Sequence, residues 1–200
     1  MTAWSTRLLV LGAVRFMQPT YGYDVRRELI SWGVEDWANI KPASIYSALR
    51  TLSKDGLIEV TATERNPGRP ERTAYVMTGE GEKEFQALLR NAWWTVQPLI
   101  EPLLPALTMF TSMTRAELMA ALKGRIVQLE AQVAKAHFIQ AAIKPGDTGA
   151  EGGIPEHVRE SFFLTMGRAQ AEITWAHAFL GRLEAGDYVL LGEVRPEGDQ

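Results

Sequence analysis

The sequence predicts a mainly α-helical fold with a small β-wing, arranged as two successive domains. A helix with one apolar stripe and one basic face begins at residue 42, and two short β-branched segments follow it at 57–63 and 73–77. Two later segments, 114–143 and 155–183, repeat apolar residues in alternating steps of three and four, the spacing of helices that pack side by side. We therefore expect a winged helix-turn-helix domain followed by an antiparallel, coiled-coil-like helical domain.

Composition limits the class of protein. The chain has 200 residues, 46% hydrophobic and 22% charged, so we expect one large or two small globular domains. The net charge is −3, yet residues 1–80 carry 10 basic against 9 acidic side chains, while residues 81–200 carry 11 against 15. An anion-binding role therefore belongs to the first part. The sequence has no cysteine and no apolar run of about 20 residues, and we expect a soluble, cytoplasmic protein without a membrane partner.

The helix that begins at Pro42 organises the first part of the chain. Pro42 suits the first helical position, and Gly56 can supply the left-handed residue that ends the helix. Ile45, Leu49 and Leu52 share an apolar face. The opposite face is small, hydroxylated and basic, and consists of Ala43, Ser47, Arg50, Thr51 and Lys54. Such a face suits the major groove of duplex DNA, and an ordinary solvated helix is the alternative.

Two helices are expected before the central one. Ser5 can cap a first helix that is apolar over most of its circumference, so we expect it to be buried, with Leu8 a candidate for contact with a second subunit. Thr20 can cap a second helix, which Gly33 ends. Residues 34–39 are expected to form a turn. Three helices joined by short turns make a helix-turn-helix core.

The segment after Gly56 predicts a β-wing. Residues 57–63 and 73–77 are rich in β-branched side chains and read as two strands. The turn between them is basic and contains Arg65, Arg69 and Arg72. In a winged arrangement these arginines lie near a phosphate or the minor groove while the central helix enters the major groove. The order of helix, glycine, strand, basic turn and strand favours DNA binding over a solvated surface helix.

A set of residues at characteristic positions accompanies these elements. It consists of Tyr21-Gly22-Tyr23, Pro42, Ser44, Ile45, Tyr46, Leu49, Leu52, Gly56-Leu57-Ile58, Gly68-Arg69-Pro70, Tyr75, Thr78 and Gly81. With these residues, the segment 1–80 resembles the winged-helix domain of PadR-type transcriptional regulators. That resemblance implies a repressor controlled by a small effector. Lys41, Ala43 and Ser47 depart from the usual pattern at the end of the helix nearest the bases, so the operator sequence does not follow from the resemblance.

The candidate DNA-binding residues come from the central helix, the wing and the start of the second helix. They are Tyr21, Lys41, Ser44, Tyr46, Ser47, Arg50, Lys54, Arg69 and Arg72. The expected partner is a double-stranded DNA operator. The alternative function is a winged-helix module that contacts only proteins. Such a module has no reason to keep Arg50, Lys54, Arg69 and Arg72 outward together, so we favour the DNA-binding regulator.

Two neighbouring tryptophans mark the helix that follows the wing. Thr78 can cap this helix, and Trp93 and Trp94 fall on two of its sides. One interpretation is permanent packing of both rings between domains or subunits. The other is a site for a small aromatic or apolar effector, because aromatic-walled clefts are common ligand sites. Prolines between residues 98 and 105 then suggest a domain boundary.

The last two helices predict a dimer. Thr114 and Glu117 form a capping box that opens the first of them, and a glycine-rich loop at 144–153 joins it to the second. The pair is expected to fold as an antiparallel hairpin whose remaining apolar surface contacts a second copy. The candidate dimerisation residues are Leu8, Leu122, Ile126, Leu129, Val133, Phe162, Ile173 and Leu180. The larger helical domain also resembles that of some PadR-type regulators.

The expected domains are residues 1–80 for DNA binding, 81–113 as a connecting helix and linker, 114–185 for dimerisation and 186–200 as a tail. The tail is expected to be flexible, although residues 188–191 can dock. No enzymatic constellation is present, and we expect no cofactor. We also expect no metal site, since the histidines are isolated at positions 137, 157 and 177.

Overall fold

The chain divides into two compact units, Met1–Leu99 and Ile100–Gln200. The computed structural model describes residues 3–64, 72–96, 101–146 and 154–194. Within this part of the chain, eight α-helices and a three-stranded sheet are formed. The mainly helical fold with a small wing is confirmed.

Four helices precede the wing in the first unit. They are α1 (Ala3–Met17), α2 (Gly22–Ser31), α3 (Val34–Trp37) and α4 (Pro42–Lys54). The expected cap at Ser5 is wrong, because α1 already begins at Ala3. The cap at Thr20 is also wrong, because Tyr21 holds the N-cap position of α2, and its side chain does not cap the helix. The expected turn after Gly33 contains the short helix α3.

The sheet has one strand more than the sequence predicts. Its strands are β1 (Thr20–Tyr21), β2 (Ile58–Glu64) and β3 (Arg72–Met77), all antiparallel in the order β1-β3-β2. Thr20 pairs with Tyr75 and is only 3% exposed. A register shift lies between Val60 and Ala62, which puts one extra residue in β2.

Helix α5 (Gly79–Trp94) belongs to the first unit and begins at the cap predicted for Thr78. The Thr78 side chain accepts a hydrogen bond from the Gly81 amide and donates one to the Gly56 carbonyl. A Cβ atom at Gly81 would lie 1.9 Å from the Leu57 carbonyl oxygen. The chain therefore needs glycine there to bring α5 against the end of α4. The core between these helices is formed by Val10, Leu11, Val14, Val25, Leu29, Ile45, Leu49, Leu52 and Ile58.

The second unit is built on a helical hairpin. Its helices are α6 (Leu103–Thr108), α7 (Arg115–Ala142) and α8 (Arg159–Glu184), with short 3₁₀ turns at Phe110–Ser112 and Glu156–Val158. The capping box predicted for Thr114 and Glu117 is formed. Helices α7 and α8 run antiparallel, because Arg115 bonds the Leu183 carbonyl at one end and Arg159 bonds the Ile143 carbonyl at the other.

The segment after α8 docks on its own unit. Leu190 is 3% exposed within the second core, and the Leu191 amide donates to the Met113 carbonyl. Arg115 donates to both carboxylate oxygens of Glu193 at 2.7 Å and to the Tyr188 carbonyl at 2.8 Å. Residues 188–193 therefore pack against the second unit, which agrees with the docking alternative and not with a flexible tail. Residues 195–200 lie outside the described part.

Candidate nucleic-acid interface

Helix α4 separates its apolar and polar faces completely. Ile45, Leu49 and Leu52 are at most 1% exposed and pack into the core of the first unit. The residues on the outer side are all exposed: Lys41, Ala43, Ser44, Tyr46, Ser47, Arg50, Thr51 and Lys54. This surface carries three cationic side chains and no acidic one. It can therefore accept an anionic, hydrogen-bonding partner along its length.

Both ends of α4 have definite partners. Pro42 occupies the first turn, and the Ser44 amide donates to the Lys41 carbonyl at 2.9 Å. After the helix, Gly56 adopts φ of +72°, a conformation that L side chains rarely take. The Asp55 carboxylate is paired with Arg7 of α1 at 2.9 Å. The acid nearest the basic face is thus neutralised by its own unit.

Arg50 has one neighbour on its own helix and one on the sheet. Its Nη2 donates to the Ser47 hydroxyl at 3.2 Å. Burial raises the pKa of the Tyr75 hydroxyl on β3, and the positive charge of Arg50 opposes that rise. The Tyr75 hydroxyl therefore lies close enough to Arg50 to be affected by its charge. The sequence marks Arg50 as a candidate, but nothing local in it reveals this neighbour on a later strand.

Gly22 controls how closely α2 approaches α4. A Cβ atom there would lie 3.3 Å from Leu49 and 3.6 Å from the Tyr46 ring. Tyr46 therefore lies beside the start of α2, with 37% of its surface exposed. Tyr21, which precedes Gly22, is half-buried at the end of β1. These two tyrosines bracket the first turn of α2.

The wing is described only in its strands. Arg72 opens β3, where its backbone pairs with Glu64 of β2. The proposed contact Arg69 and the rest of the turn lie outside the described residues. The pair Glu64–Arg72 lies at one end of the two strands, and the pair Ile58–Met77, close after α4 in the chain, lies at the other.

The remaining candidates belong to other elements than α4. Trp93 and Trp94 on the last turn of α5 are 80% and 82% exposed. Five candidate dimerisation residues pack inside the hairpin of a single chain, namely Leu122, Ile126, Leu129, Ile173 and Leu180. Leu8, Val133 and Phe162 are partly buried.

Within the described residues, no group of three or more acidic or histidine side chains could hold a metal ion. No helix of that part is long and apolar enough to cross a membrane.

Solved structures show that this fold recurs. Bacillus subtilis PadR in complex with operator DNA has a TM-score of 0.67 at 17% identity, covering 88% of this chain and 98% of that one. The same protein with p-coumaric acid has a TM-score of 0.65 at 16% identity, covering 89% and 98%. The PadR-like regulator BC1756 from Bacillus cereus has a TM-score of 0.59 at 21% identity, covering 90% and 99%. No curated protein matches at a significant level.

The fold and the exposed basic face of α4 define a winged-helix protein with a helical second domain. Residues 10–87 match the model described as the transcriptional regulator PadR-like family. This match covers 78 of the 200 residues and falls on the segment whose residue pattern resembles that family. Members of this family are transcriptional regulators and not enzymes.

Proposed function

We propose that the chain is a dimeric, sequence-specific DNA-binding repressor whose effector is a small aromatic or apolar molecule. The observation that carries this proposal is the outer face of α4. From Lys41 to Lys54 it shows only small, hydroxylated, aromatic and cationic side chains, while its apolar residues are buried. Helices of this character read base edges in the major groove.

The residues divide by the contacts that their positions allow. Ser44, Tyr46, Ser47 and Arg50 lie on the first three turns of α4 and face the bases in this proposal. Lys41, Lys54, Arg69 and Arg72 contact phosphates or the groove edge, and Tyr21 supports the start of α2 beside the backbone. Phosphate contacts set the register and base contacts supply specificity. The complex of B. subtilis PadR with operator DNA supports this use of the fold.

A dimer would present two such helices about one DNA turn apart, roughly 34 Å, to a two-fold symmetric operator. The support for a dimer is apolar surface that the hairpin leaves uncovered. Val127, Phe138, Phe163 and Leu164 are all more than half exposed on α7 and α8. A second chain that packed against α7 and α8 would cover these apolar side chains.

The effector belongs, in this proposal, beside the exposed indoles of Trp93 and Trp94. An effector shifts the DNA-binding equilibrium only if it prefers one state of the protein. The p-coumaric acid complex of B. subtilis PadR supports a planar aromatic ligand for this fold. Titrating p-coumaric acid should quench indole emission, and the quench should shrink in Trp93→Phe or Trp94→Phe. An undiminished quench in both variants would remove these residues from the effector site.

An electrophoretic shift tests the central function. The probe is duplex DNA from upstream of the gene that encodes this chain, and the competitor is an unrelated duplex of equal length. We expect retention that survives an excess of the unrelated duplex, together with a dimer in sedimentation at micromolar concentration. Equal competition by both duplexes would reject specific DNA binding and favour a protein-contact module. A monomer at that concentration would reject the dimer.

A further inference from the structure

A cleft of about 440 Å³ opens on the second unit between α6 and the first half of α7. Its volume lies in the range of small-molecule sites. Most of its walls are apolar, formed by Leu103, Leu107, Phe110, Leu122, Trp175 and Phe179. All of these residues belong to the second unit, whereas α4 and α5 belong to the first.

Aromatic rings give the cleft a preference for flat molecules. Phe110 meets Phe179 edge to face, with ring centroids 5.2 Å apart and an interplanar angle of 86°. Trp175 lies 5.5 Å from Phe179, tilted by 35°. Rings arranged in this way offer both faces and edges, and a further aromatic ring gains from contact with them beyond its buried area.

One side of the cleft is open at the exposed residue Gly124. A Cβ atom added to Gly124 meets no other atom within 4 Å. The neighbouring residues Ala121 and Gln128 lie on the same side of α7. The absence of a side chain at Gly124 therefore leaves room for a ligand to approach the helix.

The polar end of the cleft carries no net charge. Arg125 and Gln128 line it. The Nε atom of Arg125 donates to Glu172 in an ion pair whose side chains are 37% and 26% exposed, respectively. This bond leaves the terminal guanidinium nitrogens as donors, but the positive charge is already balanced. A ligand carboxylate would have to compete with Glu172, whereas an uncharged oxygen would not.

We propose that this cleft binds one planar, uncharged aromatic molecule with an oxygen at one end. The rings of Phe110, Trp175 and Phe179 hold its plane. Arg125 and Gln128 donate to its oxygen. The site depends only on the second unit, so it stands or falls independently of DNA binding.

Calorimetric titration of the full chain with 2-naphthol tests the proposal. We expect saturable binding at one site per chain. The anionic analogue 2-naphthoate should bind at least about fivefold more weakly, because Glu172 repels it and already occupies Arg125. Gly124→Leu should weaken 2-naphthol binding by about tenfold or more, because the new side chain takes up space along one side of the cleft.

Gly167→Leu is the matched control. Gly167 lies inside α8, outside the cleft lining, and a Cβ atom there also meets nothing within 4 Å. It should bind 2-naphthol as the wild type does, and circular dichroism should show both variants folded. Absence of saturable binding by the wild type, or equal binding by Gly124→Leu, would overturn the proposal. Loss of dimer in Gly124→Leu without wild-type ligand binding would also overturn it, by assigning the cleft to a second copy.

Discussion

The two units bury their cores to different depths. In the first unit the fully buried side chains, at 0% exposure, come from four helices and include Leu11, Val25, Val34 and Ile45. In the second unit the main residues of α7, Leu118, Leu122, Ile126 and Leu129, keep 5–8% exposure, while Ala176 and Leu183 of α8 reach 0%. The first core is enclosed by helices and a sheet. The second lies between two long helices and needs short segments to cover its ends.

The two units therefore differ in the surface that they expose. The first exposes a polar helix face on a closed core, and the second exposes apolar surface that another molecule can cover. The first unit holds α4 against a closed core, which fixes the side chains of its outer face relative to one another. The second unit leaves apolar side chains exposed along α7 and α8 and a cleft beneath α6. The closed core suits a recognition surface, and the open hairpin suits contact with a second chain or a small molecule.

The largest expected effect is cavity formation in the closed core. Leu49→Ala should lower the free energy of unfolding of the first unit by about 2–5 kcal/mol, because Leu49 is 1% exposed. Leu129→Ala in the second unit should cost less, since Leu129 keeps 8% exposure and its surroundings can collapse more easily. Hydrogen exchange on peptides from α4 and α7 measures each unit separately. Equal losses would contradict the difference in core closure.

A smaller effect is expected from opening the contact between α7 and the segment after α8. Arg115→Ala removes the partner of Glu193 and of the Tyr188 carbonyl, and should cost about 1–3 kcal/mol in the second unit. Faster hydrogen exchange should be confined to residues 188–194 and the start of α7. The exposed Arg168 on α8 supplies the control, and its replacement by alanine should change stability by less than about 0.5 kcal/mol. Unchanged exchange in Arg115→Ala would show that Leu190 packing alone holds this segment.

The smallest expected effect depends on pH. Hydrogen bonds from Arg115 and from the Leu190 amide hold the pKa of the Glu193 carboxyl below its ordinary value. A carboxyl with a lowered pKa in the folded state contributes stability above its unfolded pKa, about 4.3, and loses that contribution as the pH falls through the folded pKa. The stability difference between the wild type and Glu193→Gln should therefore be constant from pH 7 to 5 and shrink below about pH 4. A difference that grew on acidification would contradict the assignment.

Local rules explain how much of the fold could be predicted. The limits of α4 follow from Pro42 and Gly56, and the starts of α5 and α7 follow from caps at Thr78 and Thr114. Each of these signals lies within a few residues of the feature that it determines. The apolar periodicity of α7 and α8 likewise identified the residues that pack between them.

Long-range contacts explain what could not be predicted. Strand β1 has two residues, too few for a period, and exists because β3 pairs with it. Docking of the last described segment depends on Arg115, nearly 80 positions away from Glu193. The orientation of Arg50 near Tyr75 and the cleft beneath α6 depend on packing between separate elements in the same way.

The candidate interface can largely be predicted from the sequence, because most of its residues lie on one helix. Ser44, Tyr46, Ser47 and Arg50 are all exposed on α4, where the helical period places them. Their contacts with operator DNA stay a prediction. The sequence alone does not reveal that the position of Tyr46 beside α2 depends on the absence of a side chain at Gly22.

Fluorescence anisotropy with two arginine variants tests the proposed recognition face most directly. Arg50→Ala removes a cation from α4, and Arg90→Ala removes one from the exposed surface of α5. Binding is measured at one salt concentration with two duplexes, one from upstream of the chain's own gene and one unrelated. We expect Arg50→Ala to weaken binding to the first duplex by about 1–3 kcal/mol and to reduce the preference for it over the second. Arg90→Ala should keep that preference. Equal preference in Arg50→Ala and the wild type would contradict recognition by this face of α4.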